Sequence, residues 1–100
     1  MIRHVVLLRF KDETPAPRRA ELAAAFAALG CEIAQVRAIE WGTDISPEGL
    51  QKGFTHCFLV SFANEADRDA YLPHPAHQAF VEQLKPGLAD VLVVDYRSAA

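Results

Sequence analysis

Side chains alternate between two faces over two stretches of the chain, residues 2–10 and 54–62. A period of two is the pattern of a β-strand, in which every second side chain lies on the same face. The shared face of these predicted strands carries His4, Val6, Leu8 and Phe10 in the first, and Phe54, His56, Phe58, Val60 and Phe62 in the second. Because the opposite face is also largely apolar, both strands are expected to be covered on two sides.

Helical periodicity follows the first strand. Large apolar side chains recur every three or four residues between 22 and 29, and alanines surround them, which is typical of a helix packed closely on a sheet. Thr14 before Pro15 predicts an N-cap with proline at the first helical position. Gly30 predicts the end of this helix, so we expect helix one to extend from Pro15 to Leu29.

The most unusual segment of the chain is Tyr71–Phe80, which concentrates a phenol, imidazoles and prolines. Pro73 and Pro75 break any continuous helix at this point. We therefore expect one short helix to end at Tyr71 and another to occupy residues 75–84, so that the two meet at a corner.

Two more strands and a loop complete the prediction. Strand two is expected over residues 33–41, and a loop rich in turn-forming residues follows over 43–53. Asn64 is predicted to cap the short helix, and strand four is expected over residues 90–97.

The predicted order is β-α-β-β-α-β, with the second helix split at its prolines. This is the order of the ferredoxin-like fold, an α+β architecture with a four-stranded antiparallel sheet, strands one and three in its centre, and helices on one face. The uncovered face would expose Val5, Leu7, Cys57 and Leu59, a larger apolar patch than monomers usually tolerate. We therefore expect it to pack on an identical sheet, giving a homodimeric α+β barrel.

Composition narrows the class of protein. The chain has 100 residues, of which 51% are hydrophobic, so one domain spanning residues 1–100 is expected. A formal charge of −3 without Lys or Arg clusters predicts neither a nucleic-acid partner nor membrane binding.

Cys31 and Cys57 are isolated and are expected to be buried free thiols. Without a signal peptide or membrane span, a cytoplasmic location is predicted.

His4 and His56 share the parity of the core-facing side chains in two strands that are expected to be adjacent, so we expect them to be neighbours. If the helices cover this face, the corner with Tyr71 and His77 lies above them. Three imidazoles and a phenol would then converge on one end of the space between helices and sheet. Such a cluster suits a small acid–base pocket, because imidazole titrates near neutral pH.

Different roles are predicted for the polar groups of the corner. His77 lies near a helix N-terminus, which disfavours the imidazolium and keeps the ring available as a base. The Tyr71 hydroxyl can donate a hydrogen bond to a carbonyl oxygen that gains charge. His74, between two prolines, is interpreted as solvent-facing or as a cap.

A purely structural interpretation of the same residues stays open. His4 and His56 could be half-buried histidines satisfied by the backbone or by each other, while Tyr71 and His77 could pack the corner with their polar tips in water.

Other catalytic chemistries find no support in the sequence. The histidine spacings match no standard set of metal ligands, so no metal site is predicted. No phosphate-binding loop, nucleophile elbow or pair of catalytic carboxylates is present. Asp95, Tyr96 and Glu40 are interpreted as solvent-facing or interface groups.

Several segments together resemble a known family. They are His4-Val5-Val6-Leu7-Leu8-Arg9-Phe10-Lys11-Asp12, Trp41-Gly42, Gly53-Phe54-Thr55-His56, Tyr71, His74-Pro75-Ala76-His77 and Phe80. The chain is similar to the stress-responsive dimeric α/β-barrel (Dabb) family over essentially its whole length. The resemblance implies the ferredoxin-like fold and a barrel dimer.

The resemblance also implies a chemistry, because the family includes a plant polyketide cyclase that works without a cofactor. It implies His77 as the base and Tyr71 as its partner, and no cofactor. The predicted ligand-lining residues are His4, His56, Leu22, Phe26, Phe58 and Phe80. Two hypotheses remain: a cyclase-like or isomerase-like enzyme acting on an apolar carbonyl compound, and a non-catalytic, stress-related dimer that binds a small molecule.

Overall fold

The fold is a four-stranded antiparallel sheet with three α-helices, seen in a computed structural model that describes residues 1–99. Its elements are β1 (Ile2–Phe10), α1 (Ala16–Glu32), β2 (Ala38–Thr43), β3 (His56–Phe62), α2 (Glu65–Tyr71), α3 (Pro75–Leu84), a 3₁₀ turn (Lys85–Gly87) and β4 (Leu88–Arg97). The predicted ferredoxin-like α+β order with a split second helix is confirmed.

The strand order is β2-β3-β1-β4, so β1 and β3 are the central pair, as predicted. Val6 of β1 lies opposite Phe58 of β3 and opposite Val93 of β4. Directly paired residues project to the same side of a sheet. This register therefore decides which side chains of distant segments become neighbours.

The core lies between the sheet and the helices. The rings of Phe26 and Phe58 stack with centroids 4.0 Å apart, and Phe80 packs 5.0 Å from Phe26. Leu22 and Leu29, on the same face of α1, are also buried. Fully burying each side chain of this size contributes about 1.5–3 kcal/mol, so these contacts join α1 and α3 to the sheet.

Helix α1 differs from the prediction at both ends. Its N-cap is Pro15 rather than Thr14, whose hydroxyl instead donates a 3.0 Å hydrogen bond to the carbonyl oxygen of Gly87. Thr14 therefore ties the helix start to the turn before β4. Gly30 does not end the helix, which continues to Glu32 and ends where the Ile33 N–H donates to the Leu29 carbonyl.

Three strand boundaries were predicted imprecisely. Strand β2 occupies Ala38–Thr43 rather than 33–41, because Ile33 and Val36 form a buried turn in which the Val36 N–H donates to the Ile33 carbonyl. Strand β3 begins at His56, after a turn with a positive φ at Gly53. Strand β4 begins at Leu88, two residues before its predicted start.

The predicted corner is confirmed. Helix α2 ends at Tyr71 and α3 begins at Pro75. The Asn64 side chain accepts a hydrogen bond from the Asp67 N–H, as expected of a cap. The His74 side chain caps α3 by accepting a 3.0 Å hydrogen bond from the Ala76 N–H at Nδ1. Of the two interpretations of His74, the structure supports the cap.

Within residues 1–99, no helix covers the second face of the sheet, and the centre of this face is apolar. Its side chains include Val5 and Leu7 on β1, Leu59 on β3, and Leu92 and Val94 on β4, the last two about half exposed. We call this surface the open face. An open concavity of about 760 Å³ lies at its edge, lined by residues that include Leu7, Leu50, Phe54, Cys57, Leu59 and Leu92.

Cys31 and Cys57 are both exposed, so the expectation that they are buried was wrong. Cys57 is on the open face, and Cys31 lies in the last turn of α1. Within residues 1–99, no helix is long and apolar enough to cross a membrane.

Candidate functional site

Tyr71 is the most deeply buried polar residue of the corner, with 0% of its surface exposed. Its ring packs against those of Phe62, His4 and His77, with centroids 5.1, 6.0 and 4.5 Å away. No group among residues 1–99 forms a hydrogen bond with its hydroxyl. Burial raises the pKa of this hydroxyl, so it is a protonated donor. An unpaired buried donor costs about 1–3 kcal/mol, a cost that a ligand oxygen would remove.

His77 lies in the first turn of α3, as predicted. Its Nδ1 atom is 2.8 Å from the carbonyl oxygen of Leu72. Because a carbonyl oxygen only accepts, Nδ1 carries the hydrogen, and the neutral ring has Nε2 as its acceptor. The proton-accepting atom of His77 is therefore defined by the backbone at the end of α2.

The pKa of His77 is lowered chiefly by burial. The hydrogen bond to Leu72 opposes this shift, while charge interactions with His4 and His74 lower the pKa of His77 further. The direction agrees with the prediction, but burial rather than the helix terminus is the main cause. At neutral pH His77 is thus uncharged and able to accept a proton.

His4 is buried on β1 and is held by a carboxylate. Its Nδ1 atom lies 2.6 Å from Oδ1 of Asp95, the residue directly opposite on β4. The second carboxylate oxygen accepts a 3.0 Å hydrogen bond from Nη1 of Arg68 on α2. Asp95 is exposed, as expected of a solvent-facing group, but its pairing with His4 and Arg68 was not predicted. The sequence signal for this role of Asp95 was a carboxylate within an apolar strand, on the same face as Val91 and Val93.

His56 does not join this group. It pairs with Leu8, whereas His4 pairs with Val60, so the two histidines are separated by four positions along the strands, about 13 Å. The prediction that they are neighbours was wrong. Side chains at alternate positions of a strand lie on the same face of the sheet, but they need not lie at the same end of it. The corner brings together His4, Tyr71 and His77, two imidazoles and a phenol.

His56 has its own surroundings at the other end of the sheet. Its ring stacks nearly parallel to Trp41, with centroids 6.1 Å apart, and meets the edge of Phe10. Its Nδ1 lies 2.8 Å from the Thr55 hydroxyl. Burial, and next the charge of Arg19, lower the pKa of His56.

The four apolar residues predicted to line a ligand site lie farther inside the molecule. Leu22, Phe26, Phe58 and Phe80 are buried and pack between the helices and the sheet. Their role in ligand binding stays a prediction.

Sequence reasoning missed a second set of apolar candidates on β4. Val91 and Val93 are on the same face as Asp95, yet they are 45% and 50% exposed. Every second residue of a strand shares a face, so these valines form an apolar strip that ends at the carboxylate bound to His4. The alternation of the sequence contained this signal, but nothing in it indicated that the helices leave β4 uncovered.

The other feature next to Asp95 is polar. A shallow concavity of about 240 Å³ is lined by Ile2, Glu65, Arg68, Asp95, Tyr96 and Arg97. Its arginines are paired, Arg68 with Asp95 and Asp69 and Arg97 with Glu65. In the described part of the chain, no group of three or more His, Cys, Asp or Glu side chains is arranged to hold a metal ion.

Residues 2–98 match the model of the Stress responsive A/B Barrel Domain family, Dabb. The chain belongs to this family. This Dabb chain is 36% identical over 96 residues to the stress-response A/B barrel domain-containing protein HS1 of Arabidopsis thaliana, covering 96% of this chain and 88% of that protein. It is also 27% identical over 95 residues to the olivetolic acid cyclase of Cannabis sativa, covering 95% and 94% of the two chains.

Solved structures agree with the family assignment. The crystal structure of an Arabidopsis thaliana protein matches with a TM-score of 0.94 and 35% identity, covering 100% of this chain and 97% of that one. A protein from Jannaschia, described as a dimeric ferredoxin-like protein of unknown function, matches with a TM-score of 0.83 and 27% identity, covering 97% and 98%. The Dabb family and the ferredoxin-like fold predicted from the sequence are therefore confirmed.

Proposed function

We propose that this Dabb protein is a cofactor-independent enzyme that removes a proton from the carbon next to a carbonyl group, in a cyclisation or an isomerisation. The proposal rests chiefly on one observation: the ring of Tyr71, whose hydroxyl is buried and unpaired among residues 1–99, packs against the ring of His77. One residue is a donor without an acceptor, and the other is a neutral ring whose acceptor atom is Nε2. A carbonyl compound with an acidic C–H bond supplies an oxygen that accepts a hydrogen bond from Tyr71 and a proton that His77 can take.

In the proposed reaction, Nε2 of His77 takes the proton from the carbon, and the electron pair of that C–H bond becomes part of an enolate. The negative charge develops on the carbonyl oxygen, to which the Tyr71 hydroxyl donates a hydrogen bond. In an isomerisation, the His77 imidazolium returns the proton to another carbon. In a cyclisation, the enolate carbon attacks a second carbonyl group, whose oxygen then takes the proton from His77.

The substrate is proposed to be a small apolar carbonyl compound. The apolar strip of Val91 and Val93 leads to the His4–Asp95 pair, and so offers a surface for an apolar chain beside the polar groups. The similarity to olivetolic acid cyclase supports a cyclisation.

The assembly is proposed to be a homodimer formed through the open face, in the cytoplasm. Half-exposed Leu92 and Val94 continue the apolar surface of the central strands, and apolar patches of this kind mark interaction surfaces. Solved structures described as dimeric support a homodimer.

The activity can be tested by following deuterium exchange at the acidic C–H of a panel of apolar β-diketones. The wild-type protein should accelerate exchange, and His77→Ala should lower the rate at least ~100-fold, the usual contribution of a general base. Gln78→Ala, an exposed neighbour on α3, is the control and should retain the wild-type rate. No acceleration by the wild-type protein on any member of the panel would contradict the proposal.

The alternative is a non-catalytic dimer that binds a small apolar ligand. It is favoured by the same half-exposed valine strip, which needs no acid–base chemistry to hold a ligand. Binding of a β-diketone that survives combined Tyr71→Phe and His77→Ala substitution, with no exchange by the wild-type protein, would support this alternative.

A further inference from the structure

Arg68 is linked to His4 through one carboxylate. Its Nη1 atom donates to Oδ2 of Asp95 over 3.0 Å, and Oδ1 of the same carboxylate lies 2.6 Å from Nδ1 of His4. The three residues come from α2, β4 and β1. Both oxygens of Asp95 are therefore engaged, one by a guanidinium and one by an imidazole.

This pairing differs from an ordinary surface ion pair. The side chains of Arg68 and Asp95 are only 22% and 24% exposed, and that of His4 is 6% exposed. Exposed ion pairs contribute little because water competes with them, whereas a partly buried, charge-assisted hydrogen bond is stronger and more directional. Hydrogen bonds to Asp95 and Asp69 raise the pKa of the Arg68 guanidinium, so it remains charged.

The orientation of the carboxylate determines which nitrogen of His4 carries the hydrogen. While Oδ1 faces Nδ1, the neutral ring keeps its hydrogen on Nδ1 and its lone pair on Nε2. The other neighbours of the ring are Tyr71 and Phe62, with His77 beyond Tyr71. In the described part of the chain, the acceptor found at Nδ1 of His4 is Asp95, so this carboxylate holds the tautomer.

We propose that Arg68 is a positioning residue that holds the Asp95 carboxylate against His4 and thereby keeps His4 in the Nδ1–H tautomer beside Tyr71. Its importance for turnover rests on the proposed function, but the tautomer itself does not. Without Arg68, the carboxylate is free to turn toward water, since only one of its oxygens is then held by the protein.

A second ion pair provides a matched control. Arg97 of β4 pairs with Glu65 of α2 and so links the same two elements, without contacting Asp95. If Arg68 served only to dock α2 on β4, loss of either arginine would have the same effect on His4.

The test is ¹⁵N NMR of the histidine rings at neutral pH, which distinguishes Nδ1–H from Nε2–H, in the wild type and in the variants Arg68→Gln, Arg68→Lys and Arg97→Gln. Arg68→Gln should lower the Nδ1–H to Nε2–H ratio of His4 about tenfold, the size expected for one charge-assisted hydrogen bond. Arg68→Lys, which keeps the charge but loses the planar fork, should lower it less. Arg97→Gln should leave it unchanged.

An unchanged ratio in Arg68→Gln, or an equal fall in Arg97→Gln, would overturn the positioning role. If Arg68→Gln does not fold, Arg68→Lys decides. A His4 tautomer ratio in Arg68→Lys equal to that of the wild type would overturn the positioning role of the planar guanidinium. The deuterium-exchange rate is measured on the same samples. A wild-type protein without exchange but with the expected tautomer shift would refute the proposed reaction and leave the positioning role supported.

Discussion

The rings of Tyr71 and His77 lie 4.5 Å apart between centroids, at the junction where α2 ends and α3 begins. The contact depends on a short connection that is held by hydrogen bonds. The Leu72 carbonyl accepts from His77, and His74 caps α3. The backbone of the corner therefore sets both the distance between the two rings and the tautomer of His77.

Removing the Tyr71 hydroxyl should stabilise the protein while impairing the site. In Tyr71→Phe the ring keeps its packing and an unpaired buried donor disappears, so we expect the free energy of unfolding to rise by about 1 kcal/mol. The deuterium-exchange rate should fall. Urea denaturation measures the first effect. Tyr96→Phe, at a half-exposed position of β4, should change stability by less than about 0.5 kcal/mol, and a destabilised Tyr71→Phe would show that the hydroxyl has a partner.

Stability should fall as the pH drops through the range in which histidine titrates. The pKa values of His56 and His77 are lowered below 6.5 in the folded state, so the unfolded chain binds more protons than the folded one at mildly acid pH. The two neutral rings contribute their full stability above pH 6.5. This contribution decreases as the pH falls below 6.5, and the decrease ends once the pH is below the pKa values of the folded state.

Urea midpoints between pH 8 and about 5 check this expectation, and the neutral variants His56→Gln and His77→Gln identify its source. Each variant should lose less stability than the wild type over the same interval, because one of the two titrating rings is gone. Equal losses in all three proteins would assign the pH dependence to other groups.

Phe26 tests whether the predicted ligand-lining residues are core. Its ring stacks on Phe58 and contacts Phe80, so Phe26→Ala should reduce the free energy of unfolding by about 3–5 kcal/mol, the usual cost of truncating a buried aromatic side chain. Gln78→Ala, exposed on α3, provides the baseline. A cost below about 1 kcal/mol would mean that the Phe26 ring contributes little to packing and would favour a ligand-facing role.

The dimer can be tested on the open face. A carboxylate placed there by Leu7→Asp would have to be buried without a partner if two open faces pack together. We expect the wild-type protein to sediment as a dimer at micromolar concentration and Leu7→Asp as a monomer. Ala28→Asp, on the exposed side of α1, should remain dimeric. A monomeric wild-type protein would contradict the proposed assembly.

Alternation and helix-breaking residues were enough to predict most of the fold. Strand β1, helix α3 and the end of α2 at Tyr71 were predicted at their observed boundaries, because periodicity and proline act locally. The errors lie where tertiary contacts compete with a local signal. Thr14 bonds to Gly87 instead of capping α1, and Gly30 does not end the helix.

For the site, the sequence by itself determined which face each histidine occupies and that Tyr71 and His77 flank a corner, since both follow from neighbouring residues. Only the tertiary structure decided that His4 meets Asp95, 91 positions away in the chain, and that His56 lies at the far end of the sheet. The reason is register: one strand can slide along another by two residues without changing the face of any side chain. Which polar groups meet is settled only when the whole sheet is assembled.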